Sequence, residues 1–259
     1  MIDVKLNPPS GTIVLSRPQR CNALTREMLQ QLIRGLDDFH VQKNVRGVIL
    51  TGSGTQFCTG LDMHQLQQVG EQPEEDRWRQ WREDIELAHE LVVKMLQYPK
   101  PIIAAVDGLA SGTGLALVLA ADLVVASHRT ELSLGASRWG VVSGLAVPLM
   151  AFRAGAATAA RVAVGGESLT VSESKSLGLI HHVVDSDQVW VRAHGWVAEM
   201  AAGAAEAVQM TKRLLNETIG EQLLTWLSVA TATTATSLTT DAAREGLKAF
   251  SEKRSPSFP

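Results

Sequence analysis

Residues 100–122 read KPIIAAVDGLASGTGLALVLAAD. The apolar run 102–106 is the pattern of a buried strand. Gly108, Gly112 and Gly114 follow, and glycine lets the backbone turn tightly and approach a ligand closely. Residues 115–121 then read as an apolar helix. A strand feeding a small-residue loop that opens a buried helix presents free backbone N–H groups. Such groups can bind an anion or a developing oxyanion. A purely structural buried turn has the same composition, so the rest of the chain has to decide between the two.

Upstream, 12–16 reads as a short apolar strand, broken by Arg17-Pro18. Leu24, Met28, Leu32, Ile33, Leu36 and Phe39 then fall on one helical face. Residues 45–50 form a second apolar strand, closed by Thr51-Gly52-Ser53-Gly54, and 57–62 is another small-residue loop. The polar run 65–80, QLQQVGEQPEEDRWRQ, reads as a solvated face or flexible loop, or more sharply as a mobile lid over a site. A helix is predicted over 84–96, with Ile85, Ala88, Leu91, Val92 and Met95 inward. Trp78 and Trp81 share a helical face and suit either core packing or an acyl tunnel.

Downstream, 122–126 gives another strand. This alternation of strand and helix predicts an α/β architecture with parallel strands. Thr170-Val171-Ser172-Glu173 is a capping box for a short helix that Gly178 can end, and 180–184 reads as a final strand. From Val189 onward only helical patterns remain. The expected organisation is an α/β body over 1–188 and a helical region over 189–259.

With 259 residues, 45% of them hydrophobic, the chain can bury a sizeable core. A net charge of −3 with interspersed signs gives no basic face, so a nucleic-acid partner is not expected. Cys21 and Cys58 are the only cysteines, too few for a disulfide framework. The opening MIDVKLNPPSG lacks a charged-then-apolar leader pattern, and the most apolar segment, 115–126, is short and interrupted by Asp122. A cytoplasmic location without membrane contact is expected. The dinucleotide fingerprint fails at Leu117, where its third glycine would stand, and there is no Walker-type Gly-Lys-Ser/Thr. Neither H-E-x-x-H nor C-x-x-C occurs, so no metal site is expected. Ser111 and Ser143 lie beside glycines but outside any G-x-S-x-G.

Five segments, in order, carry a family resemblance. RPQRCNAL (17–24) resembles R-P-x-x-x-N-A-L. VILTGSGTQFCTGLDM (48–63) resembles a strand followed by an F-x-x-G-x-D loop. KPIIAAVDGLASGTGLAL (100–117) resembles K-P-x-I-A-A-V-x-G-x-x-x-G-G-G. SLTVSESKSLGLIHHVV (168–184) resembles a capped helix and strand, and REGLKAFSEKRSPSF (244–258) a C-terminal R-E-G-x-x-A-F-x-E-K-R tail. Together they identify the chain as a member of the crotonase (enoyl-CoA hydratase/isomerase) superfamily.

That resemblance implies a spiral of ββα units with a C-terminal helical region that builds homotrimers, often paired into hexamers. It implies an acyl-CoA substrate and no cofactor apart from coenzyme A as part of that substrate. By motif position the two backbone donors that hold the thioester oxygen are Leu61, after Gly60, and Thr113, between Gly112 and Gly114. Thr113 stands where the family usually has glycine, and its β-branched side chain restricts the backbone. Asp62, Met63 and His64 flank the first donor. The loop around Arg20, Cys21 and Ala23 is expected beside the nucleotide and pantetheine, with Arg20, Lys253 and Arg254 as candidate phosphate partners. His64 stands where some relatives carry a phosphate-binding lysine.

The chain departs from hydratases at both of their glutamates, whose positions read Ala116 and Ala136. Hydration needs a carboxylate to activate water and an acid to protonate carbon, each worth ~10²–10⁴ in rate. Alanine does neither. Candidate residues left on the matching segments are Glu131, Arg138, Trp139 and Ser143, the last near the position of the aspartate that dehalogenase relatives use. Three readings stay open at this level. One is an enolate-forming reaction that needs no carboxylate pair, such as decarboxylation, with Arg138, His64 or the serines orienting the departing group. Another is a hydratase or isomerase with a relocated acid/base such as Glu131. The third is an acyl-CoA-binding protein without catalysis.

Overall fold

Apolar runs become the strands of a parallel sheet, and the charged or periodic segments between them become its helices. The computed structural model describes residues 1–258, the side chain of Ile219 excepted. In chain order the first half holds β1 (Ile2–Asn7), β2 (Ser10–Leu15), α1 (Arg26–Val41), β3 (Gly47–Gly52), α2 (Met63–Gly70), α3 (Glu74–Gln97), β4 (Ile102–Val106), β5 (Leu109–Ser111), α4 (Thr113–Ala120), β6 (Leu123–Ser127) and β7 (Glu131–Ser133). A 3₁₀ turn over Gly135–Trp139 follows. Then come α5 (Ala146–Ala163), β8 (Leu169–Thr170), α6 (Val171–Ser176), β9 (His182–Val184), α7 (Val189–Ala201), α8 (Ala205–Arg213), α9 (Glu221–Ser237) and α10 (Asp241–Ser251).

A six-stranded sheet runs β1-β2-β3-β4-β6-β9, parallel except for the β1–β2 hairpin. A small second sheet runs β5-β7-β8. The repeated unit is ββα: β4 and β6 enter the large sheet, β5 and β7 enter the small one, and α4 and α5 follow. This is the α/β spiral that the resemblance implies. Alternate side chains of the central strands serve two cores. Val48, Leu50, Ile102, Ala104 and Val106 pack into the main core with α1, α3 and α4. Ile49, Ile103, Ala105 and Val125 face Val189, Ala193 and Val197 of α7.

Two sequence expectations are corrected. Strand β1 was not foreseen, although Ile2, Val4 and Leu6 alternate with Asp3, Lys5 and Asn7; it is an edge strand whose residues 3–7 are all exposed. Residues 65–80 are not a loop but most of α2 and the first two turns of α3, joined by the short connection 71–73. Their helicity comes from charge rather than an apolar stripe. Glu74, Glu75 and Asp76 sit in the first turn of α3, where the helix dipole favours acids. Arg79–Asp76 (2.6 Å) and Arg82–Glu86 (3.5 Å) add pairs at helical spacing.

The 100–122 stretch is tied to the C-terminal helices by a buried ammonium. Lys212 Nζ donates to the carbonyls of Met95 (3.1 Å) and Lys100 (3.2 Å) and to Asp122 Oδ2 (2.7 Å). The same Asp122 oxygen accepts from the Ile102 amide at 2.7 Å. No helix among the described residues is long and apolar enough to cross a membrane.

Candidate active site

The loops at the C-terminal ends of β3 and β4 meet and open into a cavity of about 510 Å³. The first loop is stitched to β5: Cys58 N donates to Leu109 O (3.1 Å) and Ser111 N to Cys58 O (2.9 Å). Its far end is clamped to the 17–24 segment. Leu24 N donates to Gly60 O (2.7 Å) and Asp62 N to Leu24 O (2.9 Å), so the residues either side of Leu61 are bonded while the Leu61 N–H has no acceptor among the described residues. On the second loop, Gly112 N donates to Ser133 O at 3.2 Å. Thr113 then opens α4, so its N–H has no acceptor within the helix, and it donates to nothing else among the described residues.

Glycine brings these two amides together. Gly60 has φ +93° and Gly112 φ +53°, values that L side chains rarely adopt. A Cβ on Gly60 would lie 3.1 Å from Thr113 N, which measures how closely the loops approach. Both Leu61 and Thr113 line the cavity. Two unspent donors on one wall suit an oxygen that gains negative charge during reaction, and removing one such donor costs about 10²–10³ in rate.

The 17–24 segment holds this arrangement from below. Asn22 is fully buried at φ +54°, and its amide donates to Ser53 O (2.9 Å) and Gln56 O (2.8 Å). Its Oδ1 accepts from Arg17 N at 2.8 Å. Asn22 was not singled out from sequence, although it is the asparagine of R-P-x-x-x-N-A-L. Arg17 Nη1 pairs with Asp62 Oδ2 and also donates to Ala23 O.

Asp62 is the one carboxylate among the described lining residues, and its oxygens are occupied. Besides Arg17, it accepts from the α2 amides of His64 (2.9 Å) and Gln65 (3.3 Å) as the N-cap. Burial pushes the Asp62 carboxyl up, but Arg17 and those amides outweigh it and hold it below the usual carboxylate range. It stays ionised and engaged, a poor proton carrier. The thiol of Cys58, just outside the cavity, is pushed up to about 12 by burial, so it is no nucleophile at neutral pH.

The cavity brings together most of the sequence candidates: Arg20, Cys21, Ala23, Gly60, Leu61, Asp62, Met63, His64, Gly112, Thr113, Ala136, Arg138, Trp139 and Ser143 all line it. Arg138 lies at its rim, exposed, with Nη2 on Gly166 O at 2.9 Å. His64 and Trp139 both meet Phe250 of α10 edge-on, with ring centroids 5.2 Å apart in each pair. Phe250 was missed from sequence because nothing local marks a residue that returns 190 positions later to close a cavity. Leu66, Ile85, Ala88, Val141 and Leu238 make an apolar far wall.

Several expected site residues fall outside the cavity. Glu131 is exposed on β7, where strand alternation turns Leu132 into the core and Glu131 out. Ala116 lies one turn into α4 and is fully buried in the main core. Lys253 is exposed beyond the end of α10, past Phe250. Arg254 is held by Glu245 (2.5 Å) and Glu252 (2.6 Å). Trp81 is core, donating to Leu66 O at 3.0 Å, and Trp78 is exposed; neither lines the cavity.

The chain is similar to known proteins along nearly its whole length. The family model described as enoyl-CoA hydratase/isomerase matches residues 11–259. The chain is 29% identical to 1,2-epoxyphenylacetyl-CoA isomerase of Escherichia coli, covering 95% of this chain and 94% of that one. It is also 29% identical to enoyl-CoA hydratase EchA19 of Mycobacterium tuberculosis, over 95% of this chain and 91% of that one. Among solved structures, an enoyl-CoA hydratase/isomerase from Xanthobacter autotrophicus Py2 superposes with a TM-score of 0.88 at 26% identity, covering 100% of this chain and 98% of that one.

Proposed function

This chain belongs to the enoyl-CoA hydratase/isomerase family, and on that premise we propose that it binds an acyl-CoA thioester, holds the thioester oxygen on the Leu61 and Thr113 amides, and forms the enolate by loss of CO2 from a 2-carboxyacyl group. The observation that carries this reading is the pairing of two unspent amide donors with a cavity whose only lining carboxylate is occupied. Hydration by two carboxylates requires a free pair, and Asp62, the one carboxylate lining the cavity among the described residues, is already engaged. Decarboxylation requires none. The carbon–carbon bond breaks, its electron pair becomes the enolate, and the negative charge moves from the carboxylate to the oxygen on the two amides. A proton then adds to the α-carbon. An apolar wall of Leu66, Ile85, Ala88 and Val141 suits the neutral CO2 better than the carboxylate it replaces. Glu131, exposed and outside the cavity, gives no support to a relocated hydratase base.

Purified protein is expected to release CO2 from methylmalonyl-CoA or malonyl-CoA and to leave crotonyl-CoA unhydrated. Hydration of crotonyl-CoA at an ordinary enzymatic rate would overturn the proposal. So would thioester binding with no CO2 released, which would favour a binding protein without catalysis.

The reading extends to assembly. Met210, Leu214, Leu215, Trp226 and Val229 are exposed along α8, α9 and the turn between them, an apolar surface that suits contact with further copies of the chain. A homotrimer or dimer of trimers is expected, with the protein in the cytoplasm, where the free thiols of Cys21 and Cys58 are at home. Light scattering should give three or six times the 27.9 kDa of one chain. A monomeric mass would remove this part of the proposal.

A further inference from the structure

Ser143 Oγ is buried and has no hydrogen-bond partner. Of the five buried side-chain polar atoms left unpartnered among the described residues, it alone belongs to a residue lining this cavity. Of the other hydroxyls lining the cavity, Thr234 Oγ1 donates to Ala230 O (2.8 Å) and Thr59 Oγ1 to Cys21 O (3.3 Å), while those of Ser111 and Thr113, on half-buried residues, are not among the buried unpartnered atoms. A buried hydroxyl without a partner is rare in native proteins and marks a place where something else supplies the acceptor.

The position of this hydroxyl is fixed by packing. Ser143 O accepts from Ala146 N (3.2 Å) and Val147 N (3.3 Å) at the start of α5. Gly144 lies so close to α9 that a Cβ there would fall 2.5 Å from Ala230 O. Gly140 is pressed as tightly on α10, with Ala242 O 2.2 Å from a Cβ built at that position. The 140–144 segment therefore has little freedom to carry the hydroxyl away. A Cβ built on Gly112 would lie 3.9 Å from Ser143 Oγ and 3.8 Å from Gly60 Cα. The hydroxyl thus stands beside the two amide-bearing loops, within reach of the first acyl carbons of a thioester held by Leu61 and Thr113.

We propose that the Ser143 hydroxyl donates to an oxygen-bearing substituent on the α-carbon of the bound thioester, a carboxylate above all, and so selects 2-carboxyacyl thioesters over plain acyl ones. This rests on the acyl-thioester reading of the cavity but not on the occurrence of decarboxylation. The two amides serve the thioester oxygen, and the one lining hydroxyl that is buried without a partner serves the group beside it. A neutral O–H also orients a carboxylate without neutralising it, leaving the charge free to move.

The test uses amide analogues of malonyl-CoA and acetyl-CoA, with NH in place of the thioester sulfur so that cleavage is slow. Calorimetry on the wild type should show tighter binding of the malonyl analogue. Ser143→Ala should weaken the malonyl analogue by about tenfold to a hundredfold and change the acetyl analogue less than about twofold, the range expected for one hydrogen bond to a charged group. Its melting temperature should match the wild type, because the hydroxyl bonds to nothing among the described residues. Equal weakening of both analogues, or of neither, overturns the assignment. If the selective loss appears but no CO2 is ever released, the reaction falls and Ser143 stands. If CO2 is released but the preference survives in Ser143→Ala, the reverse holds. Failure of the wild type to bind either analogue overturns both.

Discussion

Thr113→Pro is expected to lower thioester turnover about 10²–10³-fold with the fold intact. Proline removes one N–H and little else at this position. Thr113 is the first residue of α4, where a missing N–H breaks no helical bond and a φ near −65° is already helical. The preceding residue must avoid the α region, and Gly112 does so at φ 53° and ψ −125°. The Thr113 amide donates to nothing among the described residues, so its loss leaves no acceptor there unsatisfied. Thr113→Ala is the partner experiment. It keeps the N–H, removes the β-branched side chain and should retain most of the activity. A proline variant with wild-type kcat would mean that this amide is not the oxygen's donor. Equal losses in both variants would move the role to the side chain. Circular dichroism and the melting temperature guard against a trivial loss of fold.

The same comparison shows which parts of the site a sequence reveals. Glycines at 60, 112 and 114 mark where backbone must approach backbone, and the approach of Gly60 to Thr113 is that contact. The buried strands are legible because both faces are covered, so 102–106 reads as unbroken apolar residues. Edge strand β1, with residues 3–7 exposed, has no unbroken apolar run and leaves only the short alternation of Ile2, Val4 and Leu6 with polar residues. Residues 65–80 mislead for the opposite reason. Their helix is supported by acids at its N-terminus and by charge pairs, and polarity alone reads as loop.

Side-chain direction is the least legible feature. Glu131 and Ser143 both sit on segments next to the site in sequence. Strand pairing turns Glu131 to solvent, while contacts with α9 and α10, 90 and more residues away, seat the Ser143 segment against the cavity. Nor does spacing tell that Ala136 reaches the cavity wall while Ala116 is buried in the main core. A carboxylate restored at 136 would face the cavity; one restored at 116 would first have to displace core atoms.

Gly114→Ala is expected to damage stability and turnover together, against helix propensity. Gly114 is the second residue of α4, and alanine there would ordinarily stabilise a helix by about 1 kcal/mol. Here the added Cβ would fall 2.3 Å from Cys58 O and 2.8 Å from Cys58 C and Cβ. The atom in the way is backbone, and it is not free to yield: Cys58 O accepts from Ser111 N and Cys58 N donates to Leu109 O. Relief requires the 57–61 loop and α4 to separate, at a cost of about 1–3 kcal/mol or more for overpacking. The same separation spreads Leu61 from Thr113, and a displacement of about 1 Å in a positioned group can cost about 10²-fold in rate. Gly195→Ala in α7 is the control, because its Cβ would meet only Arg192 Nη1 at 3.5 Å, an ordinary contact. Urea unfolding should show a lower midpoint for Gly114→Ala and an equal or higher one for Gly195→Ala, with unchanged slopes. If Gly114→Ala were as stable as the wild type, the tight approach of the two loops would not exist in solution. If it were destabilised but its folded fraction turned over normally, the amide spacing would not depend on that contact.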